Sequence, residues 1–211
     1  NNSAFGYRAG MQNTTGVGNS AFGARALGTN TFGVYNSAFG TQALFRNITG
    51  SRNNAFGAIA LYANTAGTFN NAFGYGALLR NTTGANNAAF GHLALGSNVI
   101  GFKNAAFGSF ALRQGVSGSF NNAFGYLSLF NNATSTNNAF GYKTLYKNTS
   151  GYKNSAFGHK ALVNNTISSS NSAFGYRSLY TNTAVGNSAF GAQALSSNTS
   201  GRYNSAFGYL A

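Results

Sequence analysis

The sequence predicts an all-β fold, a β-solenoid, and three observations carry the prediction. A phenylalanine returns every 16 or 17 residues, an Asn-x-Ala-Phe-Gly unit surrounds each one, and Gly and Asn are abundant while Pro is absent. The recurring residues are Phe5, Phe22, Phe39, Phe56, Phe73, Phe90, Phe107, Phe124, Phe140, Phe157, Phe174, Phe190 and Phe207. Ten of the twelve steps between them are 17 residues and two are 16, so the chain is an array of one short unit.

Numbering each copy from the Asn three residues before the Phe shows how strict the unit is. Asn at position one, Ala at three, Phe at four and Gly at five occur in all 13 copies. Leu holds position nine in 11 of 12 copies, with Gly10 the exception, and Asn holds position twelve in 11 of 12, with Gly115 the exception. A helical repeat would place apolar residues every third or fourth position and use few glycines. This unit instead offers short extended pieces divided by Gly and Asn, the residues that most readily adopt the left-handed backbone of tight corners. One unit is therefore one coil, and roughly twelve coils stack at the spacing of hydrogen-bonded strands.

Stacking in register sets like side chains above one another. Phe at position four (Phe22, Phe39, Phe56, Phe73), Leu at nine (Leu27, Leu44, Leu61, Leu78) and the mostly β-branched residue at thirteen are expected to fill the interior as three columns. Asn at positions one (Asn19, Asn36, Asn53) and twelve (Asn30, Asn47, Asn64) is expected to form amide ladders from coil to coil. Burying one Phe or Leu contributes about 1.5 to 3 kcal/mol, while ordering each residue of backbone costs about 1 to 2 kcal/mol, so a single coil cannot stand alone.

Strand alternation puts position three opposite position four. With Phe assigned to the interior, the invariant Ala21, Ala38, Ala55 and Ala72 are expected to face outward. The 13 Lys and Arg residues all avoid positions one to six and gather at seven, eleven, seventeen and nearby. One small, uncharged side is thus expected to pack against another chain, as a trimer or in a filament. Tyr beside a base at positions six and seven (Tyr7 and Arg8, Tyr142 and Lys143, Tyr176 and Arg177) offers an adhesive surface, with anionic surface polysaccharide as its expected partner.

Composition removes most chemistry. The chain has no Asp, Glu or Cys and a net charge of +13, so it carries no side-chain carboxylate for acid or base catalysis, no disulfide and no thiolate metal site. No enzyme activity, cofactor or metal is expected. His92 and His159 share position six with Tyr and stand four coils apart, about 19 Å, too far to hold one ion. Asn-x-Thr or Asn-x-Ser triplets at Asn13, Asn47, Asn81, Asn148 and Asn198 arise from the repeat and are not expected to be glycosylated. Nucleic acid is disfavoured because no continuous basic stripe interleaved with aromatics runs along the chain. An ice-binding Thr plane at position thirteen is disfavoured by Ile48, Val99, Val116 and Ala133. No apolar run approaches the about 20 residues that span a bilayer, so no membrane insertion is expected within this segment.

The unit Asn-Ser-Ala-Phe-Gly, at Asn19 to Gly23, Asn36 to Gly40 and Asn204 to Gly208, resembles the short repeat of trimeric autotransporter adhesin heads of the YadA-like type. It is also similar to Asn-Thr-Ala-rich repeats of phage and giant-virus fibre proteins. The resemblance implies a left-handed parallel β-roll, three chains side by side, and a role in attachment. The combined expectation is a single solenoid domain over residues 1–211, serving as a structural extracellular fibre or filament with a shaft and adhesive role at a cell surface. The alternatives are a phage or virus tail fibre and an anionic-glycan binding module. With no capping segment at either end, a longer polypeptide or end-to-end stacking of subunits is expected.

Overall fold

The computed structural model describes residues 1–211, and its regular structure is entirely β. The chain divides into two compact units, Asn1–Asn104 and Ala105–Ala211. The first contains β1 (Ser3–Phe5), β2 (Ser20–Phe22), β3 (Ser37–Phe39), β4 (Asn54–Phe56), β5 (Asn71–Phe73) and β6 (Ala88–Phe90). The second contains β7 (Ala105–Phe107), β8 (Asn122–Phe124), β9 (Asn138–Phe140), β10 (Ser155–Phe157), β11 (Ser172–Phe174), β12 (Ser188–Phe190) and β13 (Ser205–Phe207). Within each unit every strand pairs parallel with the next, in register. Ala38 lies against Ala55 and Phe39 against Phe56, and likewise Ala156 against Ala173 and Phe157 against Phe174. Each unit is a β-solenoid that winds once per repeat.

Only three residues of each coil count as strand, yet much of the rest of the backbone also bonds between coils. In the coil that starts at Asn36, Ser37 N–H donates forward to Asn53 O (2.9 Å), Gly40 back to Phe22 O (2.8 Å), Gln42 back to Ala24 O (2.9 Å), Leu44 forward to Ala60 O (2.9 Å) and Arg52 back to Val34 O (2.9 Å). The peptides thus alternate between the coil above and the coil below.

The corners follow from this alternation, and they correct the expectation that Gly and Asn would hold them. Positions seven, nine and seventeen all take left-handed backbone, and most carry larger residues: Gln42 (φ 57), Leu44 (φ 50), Arg52 (φ 56) and Ile59 (φ 53) are examples. Such backbone costs an L-residue about 1 to 2 kcal/mol. Inter-coil hydrogen bonds hold it in place, and at position nine the burial of Leu, about 1.5 to 3 kcal/mol, offsets it. Glycine is indispensable elsewhere. Gly57 at position five sits at φ 136, where a Cβ would lie 2.6 Å from Gly74 O.

The interior contains fewer large side chains than expected. Leu27, Leu44, Leu61 and Leu78 are fully buried, as expected for the position-nine column. The position-four column is a correction: Phe22 is 38% exposed, and Phe39, Phe56 and Phe73 are half-buried on the outer side of the strands. The position-three residues are the matching correction, for Ala21 is 2% exposed and Ala38, Ala55 and Ala72 are 0% exposed. The alternation holds, but its sense is inverted. Position thirteen is also outside, with Ile48 44% and Val116 49% exposed. The physical reason is width. Two Asn ladders, the Leu column and small residues at positions three and eight (Ala38 and Ala43 in one coil, both at 0%) already fill the cross-section. A phenyl ring has no room there.

Candidate interaction surfaces

The Asn ladders hold the coil closed. Asn36 Nδ2 crosses its coil to Gly50 O (2.8 Å), and Asn47 Nδ2 reaches the same oxygen (2.8 Å). Each amide also bonds to its predecessor, Asn47 Nδ2 to Asn30 Oδ1 (2.7 Å), Asn64 Nδ2 to Asn47 Oδ1 (2.8 Å), and Asn36 and Asn53 N–H to Asn19 Oδ1 (2.9 Å) and Asn36 Oδ1 (3.0 Å). All these residues are buried, and Asn47, Asn81 and Asn148, three of the sequon residues, have their amides engaged inside the fold. A Cβ at Gly50 would fall 2.3 Å from Asn47 Oδ1, which is why this position is usually Gly. In the two 16-residue coils the carbonyl one residue earlier substitutes: Thr134 O accepts from Asn121 and Asn132 (both 2.7 Å), and Ala184 O accepts from Asn182 (2.7 Å).

Two of the outward surfaces bring repeated aromatic side chains together. The first is the strand face, where position four alternates with Ser, Asn or Ala at position two. In the first unit the rings of Phe22, Phe39, Phe56, Phe73 and Phe90 stack at 4.7 Å between centroids, with interplanar angles of 7° or less. In the second unit, Phe107, Phe124, Phe140, Phe157, Phe174 and Phe190 stack at 4.6 to 4.8 Å. The neighbouring Asn residues bond along the same face, Asn54 to Asn71 (2.8 Å) and Asn122 to Asn138 (2.7 Å). No Lys or Arg occupies positions one to six, so this face is partly apolar and uncharged.

The second surface is the corner after the strand. Left-handed backbone at positions seven and nine brings side chains six and ten to either side of side chain seven. In the second unit this gathers Tyr142, Lys143, Tyr176 and Arg177, as the sequence suggested, and adds Tyr146 and Tyr180, which it did not. Lys143 Nζ lies 5.4 Å from the Tyr142 ring centre and 5.7 Å from that of Tyr146. The Arg177 guanidinium lies 5.2 Å from both Tyr176 and Tyr180. Tyr126, Tyr142, His159 and Tyr176 form a stacked column at 5.8, 5.0 and 5.3 Å, so His159 takes a Tyr place. Tyr7 and Arg8 pair in the first unit, 5.1 Å apart, without Tyr neighbours at position six in the next three coils. Aromatic residues at position ten (Phe45, Tyr62, Phe130, Tyr146, Tyr180) are the signal that could have found the missing half of this surface.

No group of three His, Cys, Asp or Glu side chains is placed to hold a metal ion. No helix is long and apolar enough to cross a membrane. The fold and its surfaces define a β-solenoid repeat protein with amide ladders. No family profile, curated protein or solved structure matches this chain.

Proposed function

We propose that this chain is a non-enzymatic structural segment of an extracellular fibre at a cell or virion surface, assembled through its strand faces and adhesive at its corners. The observation that carries this reading is the stacked Phe ladder on an uncharged face. The interior is complete without those rings, so 13 copies of a large apolar residue are kept on the outside of a chain with a net charge of +13. Within each unit these rings form an apolar strip, and such a strip marks an interaction surface. A second copy can approach it without bringing cations together, because the cations sit at other positions. The repeat's resemblance to adhesin-head and viral-fibre units supports the same reading, and it covers the phage or virus fibre alternative as well.

Electron microscopy and light scattering on the purified chain test this. Discrete multimers or uniform filaments are expected, and replacing Phe39, Phe56 and Phe73 by Ser should disperse them while the coil stays folded. A wild-type chain that remains monomeric at tens of micromolar would overturn the reading.

A further inference from the structure

We propose that the corner of the second unit binds a linear acidic polysaccharide, laid parallel to the stack of coils along Lys143, Lys160 and Arg177. This rests on the reading of the chain as an adhesive fibre segment and names the ligand of its corner surface. The three cations occupy position seven of consecutive coils, and their backbones are tied in register: Lys143 N–H bonds Tyr126 O (3.0 Å), Lys160 bonds Tyr142 O (2.9 Å) and Arg177 bonds His159 O (3.0 Å). Their stems are half-buried, which fixes where the charges emerge. No side-chain carboxylate exists in the chain to neutralise them.

Three like charges at the coil spacing, about 4.8 Å, repel one another unless an anion lies across them. A polymer with a regularly repeated acidic group meets that condition, and a single small anion does not. The aromatic residues decide which polymer. Tyr142 and His159 are stacked on both faces and Tyr126 and Tyr176 on one, so along the row the surface presents mainly ring edges and phenol hydroxyls. Bases of single-stranded nucleic acid need open ring faces on which to stack. Sugar hydroxyls and acidic groups need only the donors and acceptors this surface offers. Where the column begins, Phe110, Arg113, Tyr126, Leu127 and Phe130 line a hollow of about 190 Å3, and Arg113 Nε there is buried without a hydrogen-bond partner. Arg177 Nε is in the same condition.

The test measures binding of fluorescently labelled polygalacturonate and dextran sulfate to the full chain over a series of salt concentrations. Neutral dextran and oligothymidylate serve as comparators. Lys143→Gln, Lys160→Gln and Arg177→Gln are combined in one variant, since Gln42 and Gln193 already hold position seven with the same backbone (φ 57 and 59). A control variant removes equal charge at position seventeen, Arg52→Ser, Lys103→Ser and Lys153→Ser, where Ser170 occurs naturally. The corner variant should bind an acidic polysaccharide at least tenfold more weakly, and the control no more than threefold. Gln193→Lys, which extends the row by one coil, should tighten binding threefold or more and steepen the salt dependence by about one counterion. Equal losses in the two triple variants, tighter binding of oligothymidylate, or no saturable binding of either acidic polymer would overturn the proposal. Because these cations lie off the strand face, intact fibres without polysaccharide binding would sink this inference alone.

Discussion

The side-chain amide of Asn47 donates to Oδ1 of Asn30, one coil earlier, at 2.7 Å, and the same amide reaches Gly50 O at 2.8 Å. One neutral side chain thus closes its own coil and fastens it to its neighbour. Asn47→Ala strands Asn30 Oδ1 in the interior, and a buried acceptor without a partner costs about 1 to 3 kcal/mol. With the lost bond from Asn64, a total near 2 to 4 kcal/mol is expected in urea denaturation. Asn47→Asp keeps the volume but has no donor, so it should cost at least as much. An Asp variant with wild-type stability would mean that the ladder is filler.

Gly57 combines a backbone that only glycine adopts readily with the carbonyl group of Gly74 directly above it. Gly57→Ala must both strain the corner and push two coils apart. The two costs, each about 1 to 3 kcal/mol, should sum to a loss visible as reduced soluble yield and a lowered melting temperature.

Gln42 is the reverse case, a half-buried corner residue held at φ 57. Gln42→Gly removes about 1 to 2 kcal/mol of left-handed strain and adds about 0.5 to 1 kcal/mol of unfolded-chain entropy. The variant should be as stable as the parent or more stable by up to about 1.5 kcal/mol, and Gly76 already stands at the same position. Thermal melting decides it, and a clear destabilisation would show that the corner is not strained.

Leu61 and Phe56 exchange the roles that residue size suggests. Leu61→Ala opens a hole in a fully buried column and should cost about 2 to 5 kcal/mol. Phe56→Ala loses stacking with Phe39 and Phe73, 4.7 Å on either side, and should cost less, about 1 to 2 kcal/mol. Chemical denaturation of the two variants under conditions that keep the chain monomeric measures the order directly.

The period and the invariant positions made the coil legible in the sequence, because a strict repeat of Asn, Ala, Phe and Gly leaves few ways to wind. The Asn ladders were legible for the same reason, since an amide is both donor and acceptor and can repeat indefinitely. The inside and outside of the strand were not. Alternation fixes that Ala38 and Phe39 lie on opposite sides, but the usual preference for burying the larger residue gives the wrong side when the cross-section is narrow. Small residues at position eight, such as Ala43 and Ala60, mark that narrowness. The corner residues were hidden too, because left-handed backbone at Leu44 and Gln42 is imposed by bonds to other coils and leaves no local signature.

The two shortened coils, where Thr134 and Ala184 take over the work of Gly50, have a consequence for assembly of the second unit. A chain of interchangeable windings can align with itself in many ways, each displaced by one winding and nearly equal in energy. Where copies of the second unit pack together as proposed, these two irregular windings would make the in-step pairing differ from one displaced by a single winding.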